Sequence, residues 1–330
     1  MAVTTVPVRA LTSLALAAAV LGTAVSGAAA TENPAPKPPA KSAQDQAKKH
    51  GPLALSTVED LRSSMQGEAY AHASYTFFAA QADREGKHEA AKAFRTAAHT
   101  ELWEHFAEQA ELVGLVGSNE ANLRHAIEGE THEAYSMYPA FAAQARQDGD
   151  IEAAELFTEI AADENAHRKA FATALKAVTT GKGEIPAPPA VDRTEVPAGL
   201  PKVSSPRTRA NLETAMHGEA LAHASYTLFA QQARKSGNAA LADLFAGTAR
   251  VELHEHFAEL GVLAGLVSDT AANLRKSIEG EWYEAKVMYP KFAERARKAG
   301  DLKAAHVFAD TAGDEAAHAR SFEKALRNLK

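Results

Sequence analysis

From residue 57 onward, apolar residues recur at three- and four-residue spacing in long segments and nowhere alternate, which predicts an all-α fold. Glycines mark the breaks. Gly86, Gly149, Gly237 and Gly300 stand where a helix would end, and Asp150, Asn238 and Asp301 follow at once as N-caps. Ser56-Thr57-Val58-Glu59 has the form of a capping box, while Ser205-Pro206 has that of a cap with a first-turn proline. The pattern predicts helices over 57–85, 87–113, 119–148 and 150–178. Short links within the first and second pairs make two antiparallel hairpins. The looser link at 114–119 has room for a crossover, and the four helices form a bundle.

The same pattern occurs twice. Adding 151 to almost any acidic or histidine position between Glu68 and His167 returns the same residue type, with no insertion or deletion. Glu68 returns as Glu219, Glu101 as Glu252, Glu130 as Glu281, Glu164 as Glu315 and His167 as His318. The expected organisation is a bundle at 53–180, a linker with five prolines at 181–203, and a second bundle at 204–330. The linker gives the copies enough freedom to pair as an intramolecular pseudo-dimer, and exchange of hairpins between them stays open.

The repeated acids fall on the apolar face. Leu61, Met65, Glu68, Tyr75 and Ala79 form one stripe, and Phe94, Ala97 and Glu101 the next. Leu123, Ile127, Glu130, Glu133, Met137 and Phe141 follow, then Phe157, Ile160, Glu164, His167 and Phe171. All four helices aim carboxylates inward near mid-length. Like charges about 4 Å apart repel by roughly 4 kcal/mol at an effective dielectric near 20, and burial adds to the cost. Cations among the acids would relieve both. A lone glutamate is usually a solvated one, but the full set repeated in both copies points to a pair of metal ions per bundle, with Glu-x-x-His putting an oxygen and a nitrogen on one face. His72 and His223, one turn beyond the first glutamate, read as packing or rim residues; Tyr75 and Tyr226 are placed to hydrogen-bond a ligand carboxylate.

Composition narrows the chemistry. The 330 residues contain no cysteine, which excludes disulfides and thiolate-ligated iron. A net charge of -7 without a basic patch makes nucleic acid an unsuitable partner. Arg9, the uncharged stretch 11–30 and its small-residue end Gly27-Ala28-Ala29-Ala30 have the form of a Sec-type signal peptide, so residues 1–30 are expected to be removed on export, leaving no stable membrane anchor. The Pro/Lys/Ala tract that follows, within 31–52, reads as a disordered tether.

Both copies resemble the ferritin-like diiron domain of the rubrerythrins. The resemblance rests on Gly67-Glu68 with Tyr75 seven residues after the acid, on Glu130-Thr131-His132-Glu133 followed by Met137-Tyr138-Pro139, and on Phe157 with Glu164 and His167. Glu219, Glu281, Glu284, Met288-Tyr289-Pro290, Glu315 and His318 repeat it. It implies two ferritin-like four-helix bundles, each with two iron ions, or manganese or zinc, held by Glu68, Glu101, Glu130, Glu133, Glu164 and His167 and by Glu219, Glu252, Glu281, Glu284, Glu315 and His318. Tyr138 and Tyr289 join Tyr75 and Tyr226 as hydrogen-bond partners of ligands. One position departs from the family. Its second-helix histidine, which takes part in an iron shift between redox states, falls by spacing on Glu104 and Glu255, with His105 and His256 one residue later. The reading prefers Glu104 and Glu255 as ligands, with His105 and His256 as the alternatives.

The resemblance further implies oxidation of a diferrous pair by hydrogen peroxide or dioxygen, of peroxidase or ferroxidase type. The family's rubredoxin-type domain has no counterpart here, so an external electron donor is expected. A non-catalytic, extracytoplasmic metal-binding or structural bundle is the alternative, and homo-oligomers are compatible with either.

Overall fold

The computed structural model describes residues 52–329, so the expected signal segment 1–30 and all but the last residue of the 31–52 tether lie outside the described residues. Among the described residues the only regular secondary structure is helical, without strands. Eight long helices follow one another. α1 is Leu55–Arg84; α2 runs as His88–Thr100, a π segment Glu101–Phe106, then Ala107–Val113; α3 is Asn119–His132, a π segment Glu133–Met137, then Tyr138–Asp148; α4 is Ile151–Thr180. The second copy repeats this. α5 is Pro206–Lys235; α6 is Ala239–Val251, a π segment Glu252–His256, then Phe257–Ala264; α7 is Thr270–Tyr283, a π segment Glu284–Met288, then Tyr289–Ala299; α8 is Leu302–Arg327.

The repeats are not the bundles. The hairpin α1–α2 packs on α7–α8 of the second copy, and α5–α6 packs on α3–α4 of the first, so 53–180 and 204–330 each contribute half of both bundles. Chain length explains the exchange. Ferritin-like bundles need one long crossover between their hairpins, and α2 is about 39 Å long. Residues 114–118 reach about 20 Å at full stretch, too little for the crossover that this link was expected to hold. The chain therefore enters the neighbouring bundle.

Contacts at the helix starts fix this pairing. Asp150, expected to cap α4, makes no side-chain cap; it accepts from the backbone of Ser204 and Ser205 at the start of α5 (2.8 and 3.1 Å). Asp301 likewise accepts from the Ala54 N–H at 3.0 Å, where α1 begins. The box expected at Ser56 is absent for that reason: the helix starts at Leu55, and Ala54 takes its partner from the other copy. Ser118, Ser205, Asn238 and Asp269 do cap the starts of α3, α5, α6 and α7.

The bundles meet along α1 and α5. Tyr70 stacks on His217, Phe77 on Phe257, and His72 on His223 with centroids 5.3 Å apart and planes within 5°. The linker is an ordered strap laid along α6. Thr194 and Lys202 donate backbone N–H groups to the carbonyls of His254 and Leu263 at 2.9 Å, and Val196 and Val203 are buried. Gly265, at φ +64°, lets Pro201 pass, since a Cβ there would lie 2.5 Å from its nitrogen.

Candidate metal centres

Each bundle buries a cluster of acids and imidazoles at mid-height. In the first centre Glu68, Glu101, His105 and Glu315 bring one donor atom each within 4.8 Å of one another, and Glu101, Glu281, Glu315 and His318 do the same. Glu101 and Glu315 belong to both groups. The second centre repeats the plan with Glu164, Glu219, Glu252 and His256 and with Glu130, Glu164, His167 and Glu252, where Glu164 and Glu252 are shared. Every centre thus draws on both copies.

The imidazoles face their acids through Nδ1. His105 Nδ1 lies 2.8 Å from Glu101, 3.2 Å from Glu315 and 3.5 Å from Glu68; His318 Nδ1 lies 3.0, 3.1 and 3.6 Å from Glu101, Glu315 and Glu281. His256 lies 3.0 Å from both Glu164 and Glu252, and His167 3.0 and 3.2 Å from the same two. His105 pairs with Glu101, His167 with Glu164 and His318 with Glu315, but these bonds leave most of the donor atoms unmet. Glu68 Oε1, Glu101 Oε1, Glu130 Oε2, Glu164 Oε1, Glu281 Oε2, Glu315 Oε1, both Glu252 oxygens and both His256 nitrogens are buried without a hydrogen-bond partner. Buried polar atoms are rarely orphaned, and these converge on common points. Oxygen and nitrogen donors, four per point with two carboxylates shared, fit a pair of iron, manganese or zinc ions.

Burial strains the acids electrostatically. Glu68, Glu130, Glu281, Glu133 and Glu284 are held well above the ordinary carboxylate range, first by desolvation and then by neighbouring carboxylates. Glu219 is pushed up to about 8, by burial and then by Glu164. Glu101 goes the other way. Burial works to raise it, but His105 and His318 hold it down to about 2.

The structure separates the two candidates on α2. Glu104 is exposed, and Glu255 is half-buried and accepts from the Asp192 N–H at 3.0 Å; His105 and His256 are buried inside the centres. The preference for Glu104 and Glu255 is therefore corrected to His105 and His256. The π segments are the cause. Hydrogen bonds from i to i+5 put an extra residue in the turn, which carries the fourth residue after Glu101 onto the face that the third would occupy in an α-helix.

The remaining expected residues are also located. Glu133 and Glu284 fall outside the donor groups; they are half-buried beside Gly218 and Gly67, and a Cβ on those glycines would lie 3.3 and 3.9 Å from their Oε1 atoms. Tyr75 donates to Glu281 at 2.6 Å, Tyr226 to Glu130 at 2.7 Å, and Tyr138 to Glu219 by a short hydrogen bond. Tyr289 differs, its hydroxyl accepting from Gln109 Nε2 at 3.4 Å. His72 and His223 are packing residues whose Nδ1 atoms meet the carbonyls of Ala98 and Ala249. Sequence reasoning missed Asp314, which lies 3.5 Å from His105 Nε2 and orients that ring from behind, and Asp163, which takes the same place 3.7 Å from His256 Nε2, beyond hydrogen-bond reach. They recur 151 residues apart, the signal that marks the other ligands.

The Rubrerythrin family model matches residues 59–176 and 263–326, together more than half of the chain. A rubrerythrin of Nitratidesulfovibrio vulgaris is 41% identical over 137 residues, covering 38% of this chain and 71% of that protein. Nigerythrin from the same organism is 36% identical over 135 residues, covering 37% and 67%. A rubrerythrin of Porphyromonas gingivalis is 36% identical over 141 residues, covering 39% and 70%. No solved structure matches the chain. With its Glu-x-x-His helices, shared carboxylates and matches over most of each relative, the chain belongs to the rubrerythrin family.

Proposed function

We propose that the protein is a diiron oxidoreductase that reduces hydrogen peroxide, or dioxygen, at two buried centres and is recharged by a separate electron donor. The observation that supports it most is the pair of carboxylates shared between two donor groups in each centre, Glu101 with Glu315 and Glu164 with Glu252. When bound, a ferrous pair would supply the two electrons that take hydrogen peroxide to water. The protein's own groups do the rest. In the first centre Glu101 and Glu315 would be shared by two ions, with Glu68 and His105 as the further ligands of one and Glu281 and His318 of the other. Asp314 fixes the ring of His105. Burial and the facing acids keep the Tyr75 and Tyr226 hydroxyls protonated far above their usual range, so they donate to Glu281 and Glu130 and do not compete as ligands. Surrounding phenylalanines, among them Phe94, Phe322, Phe171 and Phe245, keep bulk water out and strengthen each electrostatic contact inside. The absence of cysteine from the sequence supports an outside source of electrons.

The test is anaerobic reconstitution with ferrous iron followed by a pulse of peroxide. Stoichiometric oxidation of the bound iron with loss of peroxide is expected. Tight retention of redox-silent zinc, with peroxide untouched, would overturn the reading and favour a purely structural role for the metal.

A further inference from the structure

The second repeat carries a charged face that the first lacks. α7 holds seven lysines and arginines where α3 holds two. Lys276, Tyr283, Lys291 and Lys298 follow at spacings of seven, eight and seven residues, and the extra residue in the π segment Glu284–Met288 keeps them on one outer line. All four are exposed. At the three lysine positions α3 has His125, Ala140 and Gln147. No long basic run stands in the sequence, because the charges are spaced along the chain and only the helix gathers them. Among the described residues, the ion pairs of α7 are Arg295 with Asp60 and Lys298 with Glu294, which leaves Arg275, Lys276, Lys286, Lys291 and Arg297 unpaired. Unpaired charges of one sign on one face steer partners of the opposite sign.

This face borders the first centre through an indole. Trp282 is joined in the chain to Glu281, one of that centre's donors; its Nε1 donates to Glu323 at 2.9 Å, and Lys286 Nζ lies 3.6 Å from the ring centroid. Tyr283, 56% exposed, stands beside it. In α3 Thr131 takes the place of Trp282, so the second centre has neither the indole nor the lysines on its outer helix. Electron transfer weakens steeply with distance, so a carrier works only where it docks close to a ligand. We propose that the outer face of α7 is the docking surface of an acidic protein that carries one electron at a time, delivered beside the first centre through Trp282 and Glu281. Two encounters return one ferric pair to the ferrous state, each leaving one carrier oxidised. Redox encounters are small and transient; the aromatic residues supply contact and the lysines supply the approach. Glu279 and Glu294 interrupt the exposed stripe, which suits a protein of mixed surface charge better than the unbroken anion of a membrane or a nucleic acid. The inference rests on the oxidoreductase reading above.

The probe is a reduced plant-type ferredoxin, an acidic one-electron carrier. Mixed anaerobically with the oxidised, iron-loaded full chain, it should lose its electrons at a rate that falls as salt rises. Lys276→Gln/Lys286→Gln/Lys291→Gln should lower the low-salt rate about 10-fold and flatten the salt dependence. Iron content, and reduction by a small uncharged hydroquinone, should stay as in the native chain. Arg124→Gln/Lys169→Gln/Lys176→Gln removes as many exposed charges from the other bundle and should leave the ferredoxin rate nearly unaltered. Equal losses in the two variants, or none in the α7 variant, would overturn the inference. So would a native chain that binds anionic vesicles or RNA through the same lysines and takes no electrons from ferredoxin. Docking also has a readout free of iron chemistry. With zinc in both centres, calorimetric titration with oxidised ferredoxin should show an affinity about 10-fold weaker in the α7 variant. That result, combined with bound iron that peroxide does not oxidise, would defeat the oxidoreductase reading and leave the docking face standing.

Discussion

Tyr75 of the first repeat donates a 2.6 Å hydrogen bond to Glu281 of the second, and Tyr226 of the second returns one of 2.7 Å to Glu130 of the first. No bundle is the property of one repeat. Ligand variants should therefore group by bundle and not by copy. Glu101→Gln with Glu315→Gln, in different repeats but one centre, should remove about half of the bound metal. Glu101→Gln with Glu164→Gln, both in the first repeat, should remove nearly all of it. Metal analysis of the two double variants decides between exchanged and unexchanged bundles, because unexchanged bundles give the reverse result.

Adjacent residues on α2 should behave as opposites. His105 is buried against three glutamates, whereas Glu104 is exposed. Substituting His105 by Ala should abolish tight binding at the first centre. Glu104→Gln should leave metal content unchanged and stability within about 0.5 kcal/mol, as surface changes do. Asp314→Asn, which weakens only the support of the ring, should cost about 10- to 100-fold in metal affinity by competition titration.

Much of this architecture is legible in the sequence, and the parts that are not share a cause. Apolar periodicity shows which face of a helix turns inward, so Glu68, Glu101, Glu130 and Glu164 stand out. It does not show which hairpin supplies the opposing face, because both copies carry the same stripe. The exchange is written in the shortness of 114–118 and in Asp150 and Asp301, which look like ordinary caps. His105 escaped for another reason. At 3.6 residues per turn positions 104 and 105 both flank Glu101, so the period does not choose between them, and the π segment is what selects 105.

Metal removal should leave a protein that weakens as the solution becomes more basic. Burial and Glu164 raise Glu219 to about 8. Burial opposes charge on His318, yet its bonds to Glu101, Glu281 and Glu315 carry it to about 12. A group with a raised folded-state pKa stabilises fully below its unfolded value and loses that contribution as pH climbs toward the folded one. Between about pH 6.5 and 8.5 both groups act in the same direction. The melting temperature of the metal-free protein should fall by roughly 5 °C or more across that interval, while the loaded protein stays nearly flat because ions take the place of the protons. A flat metal-free profile would contradict the electrostatic account of the centres.

The stacked histidines between the bundles should give the opposite dependence in acid. Burial first, then the facing His72 and His254, lower His223 to about 3, while the Ala249 carbonyl favours a proton on its Nδ1. His72 is lowered too, by burial first and against the pull of the Ala98 carbonyl and Glu101. A histidine lowered from about 6.5 gives stability above that pH, and the contribution fades as pH falls toward its folded value. His223→Asn keeps a donor for the carbonyl but does not titrate. It should lose less melting temperature than the native chain between about pH 6.5 and 4.5, by roughly a few degrees.

The strap should be separable from backbone conformation by comparing two glycines that occupy the same place in the repeat. Gly114 and Gly265 have nearly equal φ, +67° and +64°, so alanine pays the same left-handed penalty at each. Their surroundings differ. A Cβ on Gly114 meets nothing within 4 Å, whereas one on Gly265 lies 2.5 Å from Pro201 N and 2.7 Å from Leu200 C. Gly265→Ala must therefore also displace the strap, adding about 1–3 kcal/mol of overpacking to the loss measured for Gly114→Ala. The displacement should be visible as faster amide exchange at Thr194 and Lys202, whose N–H groups tie the strap to α6. Equal destabilisation of the two variants, with those amides still protected, would show that the strap does not press on Gly265.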